Sequence, residues 1–256
     1  MKSIKNRIKV SFNRAAETYD HYAQLQWQQS LILANQVKKI LKADCNKIID
    51  LGCGTGNSTL VLQQNFRYQN LYAIDIATAL LKKAEKKLNH ENLWLIESDF
   101  DCLPEKVLNI DLIFSNMALQ WSPNLNITLA LLSSKLCENG LLAFSLPLKG
   151  TFNEISLAYR NQFQSSNVIQ NILASLNFEL LEVNNKTVLE SFTSPLAALR
   201  SLKMIGANCI IDHYQSHYFT RDRLKNIVGE HVDLQKNFQL TYKIGFFIAR
   251  KRFIYE

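Results

Sequence analysis

Ile48-Ile49-Asp50-Leu51-Gly52-Cys53-Gly54-Thr55-Gly56-Asn57 is a short apolar run that passes through three alternate glycines into a helix-like segment, Ser58 to Gln64. The order is strand, tight turn, helix N-terminus, which is the order a nucleotide cradle needs. Glycine has no Cβ, so such a turn can take unusual dihedrals and bring backbone close to a ligand. A lone Gly-x-Gly says little, but three features accompany it. Asp50 ends the strand, a second strand ends in an acid (Tyr72-Ala73-Ile74-Asp75), and Glu97-Ser98-Asp99-Phe100 follows a third.

The spacing departs from the dinucleotide fingerprint, Gly-x-Gly-x-x-Gly, whose helix dipole receives a pyrophosphate. Here Gly-x-Gly-x-Gly follows a carboxylate. A negative charge at that point opposes phosphate and suits a ligand carrying an ammonium or sulfonium group. Asp75 would then accept hydrogen bonds from ribose hydroxyls. The ligand so described is S-adenosylmethionine, leaving as S-adenosylhomocysteine, and this stretch resembles the class I methyltransferases. The bland alternative is a glycine turn that binds nothing.

Outward from the turn, strands and helices alternate. Strands are expected at 47–51, 70–75, 93–97, 110–115 and 140–146, with helices at 57–66, 77–89 and 124–137. Continuous apolar runs such as Leu112-Ile113-Phe114 suit parallel strands buried on both faces. The fold class expected is therefore α/β, a doubly wound, Rossmann-like, seven-stranded sheet whose ligands sit at the strands' carboxyl ends. Asp50 and the glycines, Asp75, Ser98-Asp99-Phe100 and Ser115-Asn116-Met117 all fall at such ends. Asp99 either accepts from an adenine amino group, with Phe100 or Ile76 over the ring, or is a helix N-cap. The loop Asn116-Met117-Ala118-Leu119-Gln120-Trp121 is largely apolar, which favours a nucleophile that arrives already activated.

Beyond residue 148 the alternation breaks down. Helices are expected at 150–165, 168–176, 194–211 and 220–229, with a sixth strand at 178–189 and a last at 238–249. The late helices form a lid inserted among the late strands. The expected division is an N-terminal helical cap (1–42), a cofactor-binding core (43–148), core completion plus lid (149–235) and a final strand (236–256), all one compact unit. In the cap, Ser11 or Asn13 is a possible N-cap. Phe12, Tyr19 and Tyr22 either close over an adenosyl group or pack the segment onto the core.

Composition narrows the setting. No apolar run approaches the roughly 20 residues of a membrane span, and the basic start lacks a signal-peptide core. The five cysteines are scattered without a Cys-x-x-Cys pair, which fits a reducing cytoplasm and no zinc site. Cys53 is a small spacer in the turn. His213 and His217 have helical spacing but no glutamate between them, so no metal is expected. The formal charge of +7 points to an acidic partner.

A narrower resemblance follows from three segments: Ser11-Phe12-Asn13-Arg14-Ala15-Ala16-Glu17-Thr18-Tyr19-Asp20, Ser115-Asn116-Met117-Ala118-Leu119-Gln120-Trp121, and Ser194-Pro195-Leu196-Ala197-Ala198-Leu199-Arg200-Ser201-Leu202-Lys203-Met204-Ile205-Gly206-Ala207-Asn208. They resemble the malonyl-acyl-carrier-protein O-methyltransferase (BioC) family of biotin synthesis, along roughly Ile8 to Arg250. The resemblance implies methyl transfer to the free carboxylate of malonyl-acyl carrier protein, giving the ester that primes pimeloyl synthesis. It implies Arg200 as the grip on that carboxylate, with Tyr19 covering the donor. The expected cofactor set is Tyr19, Asp50, Gly52, Cys53, Gly54, Gly56, Asp75, Ile76, Asp99, Phe100, Asn116 and Leu119. Lys203, Arg221, Arg223, Lys225 and Arg250-Lys251-Arg252 form an expected docking face for the acidic carrier, with malonyl-coenzyme A a possible substitute. A monomer, with no nucleic acid and no membrane, completes the expectation. The rivals are a trans-aconitate-type carboxyl methyltransferase, an RNA methyltransferase and a non-catalytic scaffold.

Overall fold

The computed structural model describes residues 4–104, 107–209 and 220–252. Three helices open the chain: α1 (Ile4–Ala15), the single turn α2 (Tyr19–Tyr22) and α3 (Gln24–Ile40). The alternating core follows as β1 (Cys45–Leu51), α4 (Asn57–Asn65), β2 (Tyr68–Asp75), α5 (Thr78–Lys87), β3 (Leu93–Glu97), β4 (Ile110–Asn116), α6 (Leu125–Lys135) and β5 (Leu136–Pro147). Then come α7 (Ser166–Ser175), β6 (Phe178–Phe192), α8 (Pro195–Met204), α9 (Arg221–Val228) and β7 (Phe238–Lys251).

The seven strands form one sheet in the order β3-β2-β1-β4-β5-β7-β6. The first five strands run parallel, and β7 lies antiparallel between β5 and β6. Because successive side chains leave a strand on opposite faces, Ile48 and Ile49 enter different cores. One face holds Leu33, Val37, Ile48 and Phe114; the other holds Ile49, Ile113, Phe144 and Phe247. The Phe144 and Phe247 rings stack at 5.1 Å, locking β5 to β7. Chain order reverses between β1 and β4, which opens the ligand crevice at their carboxyl ends. The doubly wound sheet and the helices between β6 and β7 agree with expectation.

Three local expectations are corrected. Helix α1 starts at Ile4, so Ser11 and Asn13 lie inside it and cap nothing of their own. Asn13 instead caps a different helix: its Oδ1 accepts from the Ala79 N–H at 2.8 Å, in the first turn of α5, where the cap residue Ala77 has no side-chain oxygen. The helix expected over 150–165 is a series of turns with one short 3-10 turn at Leu157–Tyr159. Its hydrogen bonds go to β7, with Phe152 N–H donating to Thr241 O at 2.7 Å and Thr151 Oγ1 to Lys243 O at 3.0 Å. Gly150 and Phe152 have positive φ, which breaks any helical run. The helix expected over 194–211 ends at Met204, and its last two residues, like His213 and His217, lie outside the described residues. No helix among the described residues is long and apolar enough to cross a membrane.

Candidate active site

The glycine turn follows β1, where Asp50 is wholly buried. Gly52 adopts φ +71°, and a Cβ there would stand 2.3 Å from the Ala118 Cβ, so the turn packs against the loop after β4. Only glycine satisfies both demands. Asp50 Oδ2 accepts from Ser58 Oγ at 2.7 Å and Thr59 Oγ1 at 2.6 Å, both in the first turn of α4. Its Oδ1 is buried without a partner. Burial pushes this carboxyl up to about 6, against the two hydroxyl hydrogen bonds that favour its charge. Asp75, at the end of β2, accepts from the backbone N–H of Ala77 at 2.7 Å and of Gly54 at 2.9 Å. Burial lifts it to about 6 as well. The Ile76 N–H also favours its charged form, and of the carboxylate's roughly four acceptor sites at least one remains for a further donor. An orphaned carboxylate oxygen beside a second buried carboxylate suits a cation with hydroxyl neighbours, so the residues present fit S-adenosylmethionine.

The N-terminal helices close over this cradle. Tyr19 packs on Gly54, with its ring 3.8 Å from where a Cβ would stand. Burial, then the charges of Asp75 and Asp20, hold its phenol well above the ordinary range, so it stays protonated. Cys53 is buried and its thiol is pushed far up by the same desolvation, which leaves a packing role and no nucleophile. Asn116 spends both ends of its amide, donating to Gln26 O at 2.8 Å and accepting from Ser145 Oγ at 2.8 Å. It thereby ties α3 to β4 and β5 beside the turn. Leu119 is fully buried and Ile76 half-buried.

Asp99 behaves as a cap: its carboxylate accepts from the Asp101 N–H at 3.0 Å and opens the turn Phe100–Cys102. It also receives Lys5 Nζ at 2.9 Å, and the same ammonium sits 4.3 Å above the Phe100 ring centre. Helix α1 thus lays a lysine on the two residues expected to hold adenine. Lys9 pairs with Glu97, the last residue of β3, two positions before Asp99. On its other side the cap holds the late helices: Thr18 Oγ1 donates to Met204 O at 2.7 Å and Ser11 Oγ to Asn208 Oδ1 at 2.8 Å.

Between the cap, the sheet edge and α8–α9 lies a cavity of about 780 Å3. Arg7, Arg14, Arg160, Lys203 and Arg223 line it, and none of its described lining residues is acidic. Phe12, Met117, Trp121, Phe152 and Tyr242 supply apolar wall. Tyr19 and Gln26 line both this cavity and a small pocket beside Gly52, Cys53, Ser58 and Asn116, so the two sites meet there. Met117, on the wall, holds φ +52°, an uncommon backbone state for a residue with a side chain.

Arg200 is not in this wall. Helix α8 packs through Pro195, Ala198, Leu199 and Leu202, which turns position 200 to the opposite, exposed face. Leu199, Leu202 and Lys203 face the cavity instead. The expected docking face also divides. Strand register sets Arg250 beside Leu141 and Ile244 beside Pro147, so the Arg250–Arg252 run lies six positions back along β5 from the ligand edge, roughly 20 Å away. Arg252 there pairs with Glu179 at 3.1 Å. Sequence reasoning missed Arg7 and Arg160 altogether; Arg14 stood in a quoted segment without a role.

Residues 49–144 match the family model described as a methyltransferase domain. A Coxiella burnetii protein named malonyl-acyl-carrier-protein O-methyltransferase 2 is 41% identical over 252 residues, 97% of this chain and 97% of its own. A Methylococcus capsulatus protein named malonyl-acyl-carrier-protein O-methyltransferase is 28% identical over 232 residues, 87% of this chain and 84% of its own. The solved magnesium protoporphyrin IX methyltransferase from Synechocystis has a TM-score of 0.60 across 98% of each chain at 13% identity, a likeness of fold.

Proposed function

Since the chain belongs to the malonyl-acyl-carrier-protein O-methyltransferase family, we propose that it methylates the free carboxylate of malonyl-acyl carrier protein with S-adenosylmethionine, in the cytoplasm and as a monomer. The ester primes pimeloyl synthesis for biotin. The observation that carries this reading is the meeting, at Tyr19 and Gln26, of an acidic cradle with a cavity whose described lining residues include five cations and no acid.

The bound cofactor supplies an electrophilic methyl on a sulfonium. Asp50 Oδ1 would receive its ammonium, and Asp75 would accept from the ribose hydroxyls on its remaining lone-pair capacity. Tyr19, a neutral phenol, covers the donor and keeps water out; it serves no base role and none is needed. A malonyl carboxylate, with a pKa near about 4, is ionised at neutral pH. Catalysis then rests on alignment, with the reacting atoms held within about 3–3.5 Å. The two opposite charges cancel as the bond forms, so a dry cavity favours the step. Arg200, on the outer face of α8, belongs with the surface that meets the carrier, along with Arg221 and Lys225.

Incubation with methyl-labelled S-adenosylmethionine and malonyl-acyl carrier protein, read by mass, tests the proposal, with acetyl-acyl carrier protein, trans-aconitate and RNA as controls. A base-labile ester on the malonyl carrier alone is expected, with a raised KM for Arg200→Ala. A protein that binds cofactor yet leaves the malonyl carrier unlabelled would overturn it.

A further inference from the structure

Among the cations of the cavity wall, Arg160 has a distinct geometry. Its Nη1 is committed, donating to Thr151 O at 2.7 Å and Asn153 Oδ1 at 2.9 Å. Its Nε is buried with no acceptor, the only buried cationic nitrogen so left among the described residues. A buried N–H without an acceptor costs about 1–3 kcal/mol, more when charged, so a fold that keeps one at a cavity wall leaves it for a ligand. The two hydrogen bonds on Nη1 also fix the plane of the guanidinium and leave its Nε–Nη2 edge for a partner. That edge presents two parallel N–H groups, the match for the two oxygens of one carboxylate.

The anchor is rigid. Thr151 is 1% exposed, and its hydroxyl both donates to Lys243 O and accepts from Lys243 N–H, each at 3.0 Å. Arg160 is therefore tied through Thr151 to β7, beside the carboxyl end of β5. The neighbouring strand there is β4, whose end carries Met117, also on the cavity wall.

We propose that Arg160 grips the methyl-accepting carboxylate side-on through Nε and Nη2, and so makes the cavity select a free acid over its ester. The proposal rests on the carboxyl methyltransferase reading above. Arg160 would be a substrate-contacting residue that sets specificity, while Lys203, on the same wall, would serve the thioester arm.

The test is equilibrium binding to the S-adenosylhomocysteine-loaded protein, using malonyl-N-acetylcysteamine thioester and its methyl ester, which lack the carrier's phosphate. Wild-type protein is expected to prefer the acid by about 10- to 100-fold, the range of one charged hydrogen-bonded contact. Arg160→Gln should lose that preference while keeping its cofactor affinity and thermal midpoint. Arg160→Lys keeps charge without the paired edge and should recover no more than about a tenth of it. In turnover, KM for both the carrier and the small thioester should rise together with kcat little changed. Retained acid preference in Arg160→Gln would overturn the proposal, as would a KM defect confined to the carrier, which would assign Arg160 to its phosphate. Acid-selective binding that vanishes in the variant, without methyl transfer by wild type, would refute the activity and leave the grip standing.

Discussion

Asp50 offers the sharpest physical test of the cofactor cradle, because its fold and its ligand pull its proton in opposite directions. Burial lifts the carboxyl from an ordinary 3.8 to about 6, which at 1.36 kcal/mol per pKa unit corresponds to about 3 kcal/mol. The folded pKa lies above the unfolded one, so the native state holds the extra proton between those values. The ligand-free protein is therefore most favoured, at this site, below about pH 4, and loses up to about 3 kcal/mol as pH rises through 6. A cation arriving at Oδ1 needs the ionised form, so affinity must rise over the same range. Each coupled carboxylate contributes about a fivefold gain between pH 5 and 6 and about tenfold by pH 7, where the curve flattens. Asp75 is lifted to the same value, so the wild-type slope approaches two protons.

Calorimetric titration with S-adenosylmethionine from pH 5 to 8, beside thermal melts of the free protein, measures both quantities. Asp50→Asn removes a buried charge and sets a donor where the cation should lie. At pH 8 the variant should unfold at a higher temperature than wild type and bind about 10- to 100-fold more weakly, with the slope reduced to one proton. Affinity that stays flat from pH 5 to 7, or a variant that is less stable yet binds normally, would refute the reasoning.

Two further outcomes follow from packing. Gly52→Ala must combine φ +71° with a Cβ only 2.3 Å from Ala118, so it should lose about 2–4 kcal/mol in urea unfolding, the sum of a left-handed backbone and an overpacked contact. A loss below about 1 kcal/mol would mean that the loop after β4 yields freely. Asn13→Ala removes the only side-chain cap of α5 found among the described residues and should cost about 1 kcal/mol. Hydrogen exchange should show the loss as faster amides in the first turn of α5, and unchanged rates there would contradict it.

The parts of this molecule that were legible in sequence are those with a local signature. A buried strand ending in Asp50, followed by glycines that need positive φ, can be recognised without a tertiary neighbour, and so can the apolar period of β4. The misread parts owe their structure to distant partners. Residues 150–165 have helical composition, yet their hydrogen bonds are taken by Thr241 and Lys243, about ninety residues away. Asn13 has the chemistry of a cap, but the helix it caps begins at Thr78. Arg200 was chosen for its residue type and segment, while its direction was set by which four side chains of α8 pack inward. Arg160 carries no local signal at all. Its meaning comes from a hydrogen-bonded neighbour that fixes one edge of its guanidinium and leaves the other.

The charge arrangement also bears on how a turnover ends. The cradle holds two buried carboxylates, and the adjoining cavity holds five cations without a described acid. Before reaction, each half is matched to a ligand of opposite charge, a sulfonium on one side and a carboxylate on the other. Methyl transfer abolishes both charges together. The ester offers Arg160 a neutral carbonyl in place of a two-oxygen anion, so the ion pair and one of the two parallel hydrogen bonds are lost, and the grip weakens to a single bond from the guanidinium. On the proposed reading, Asp50 and Asp75 would keep their hold on the ammonium and ribose of the spent cofactor, which the reaction leaves untouched. Product ester should therefore leave first and S-adenosylhomocysteine second. Inhibition patterns can decide this: S-adenosylhomocysteine should compete with the methyl donor, and the methyl ester should inhibit weakly against either substrate.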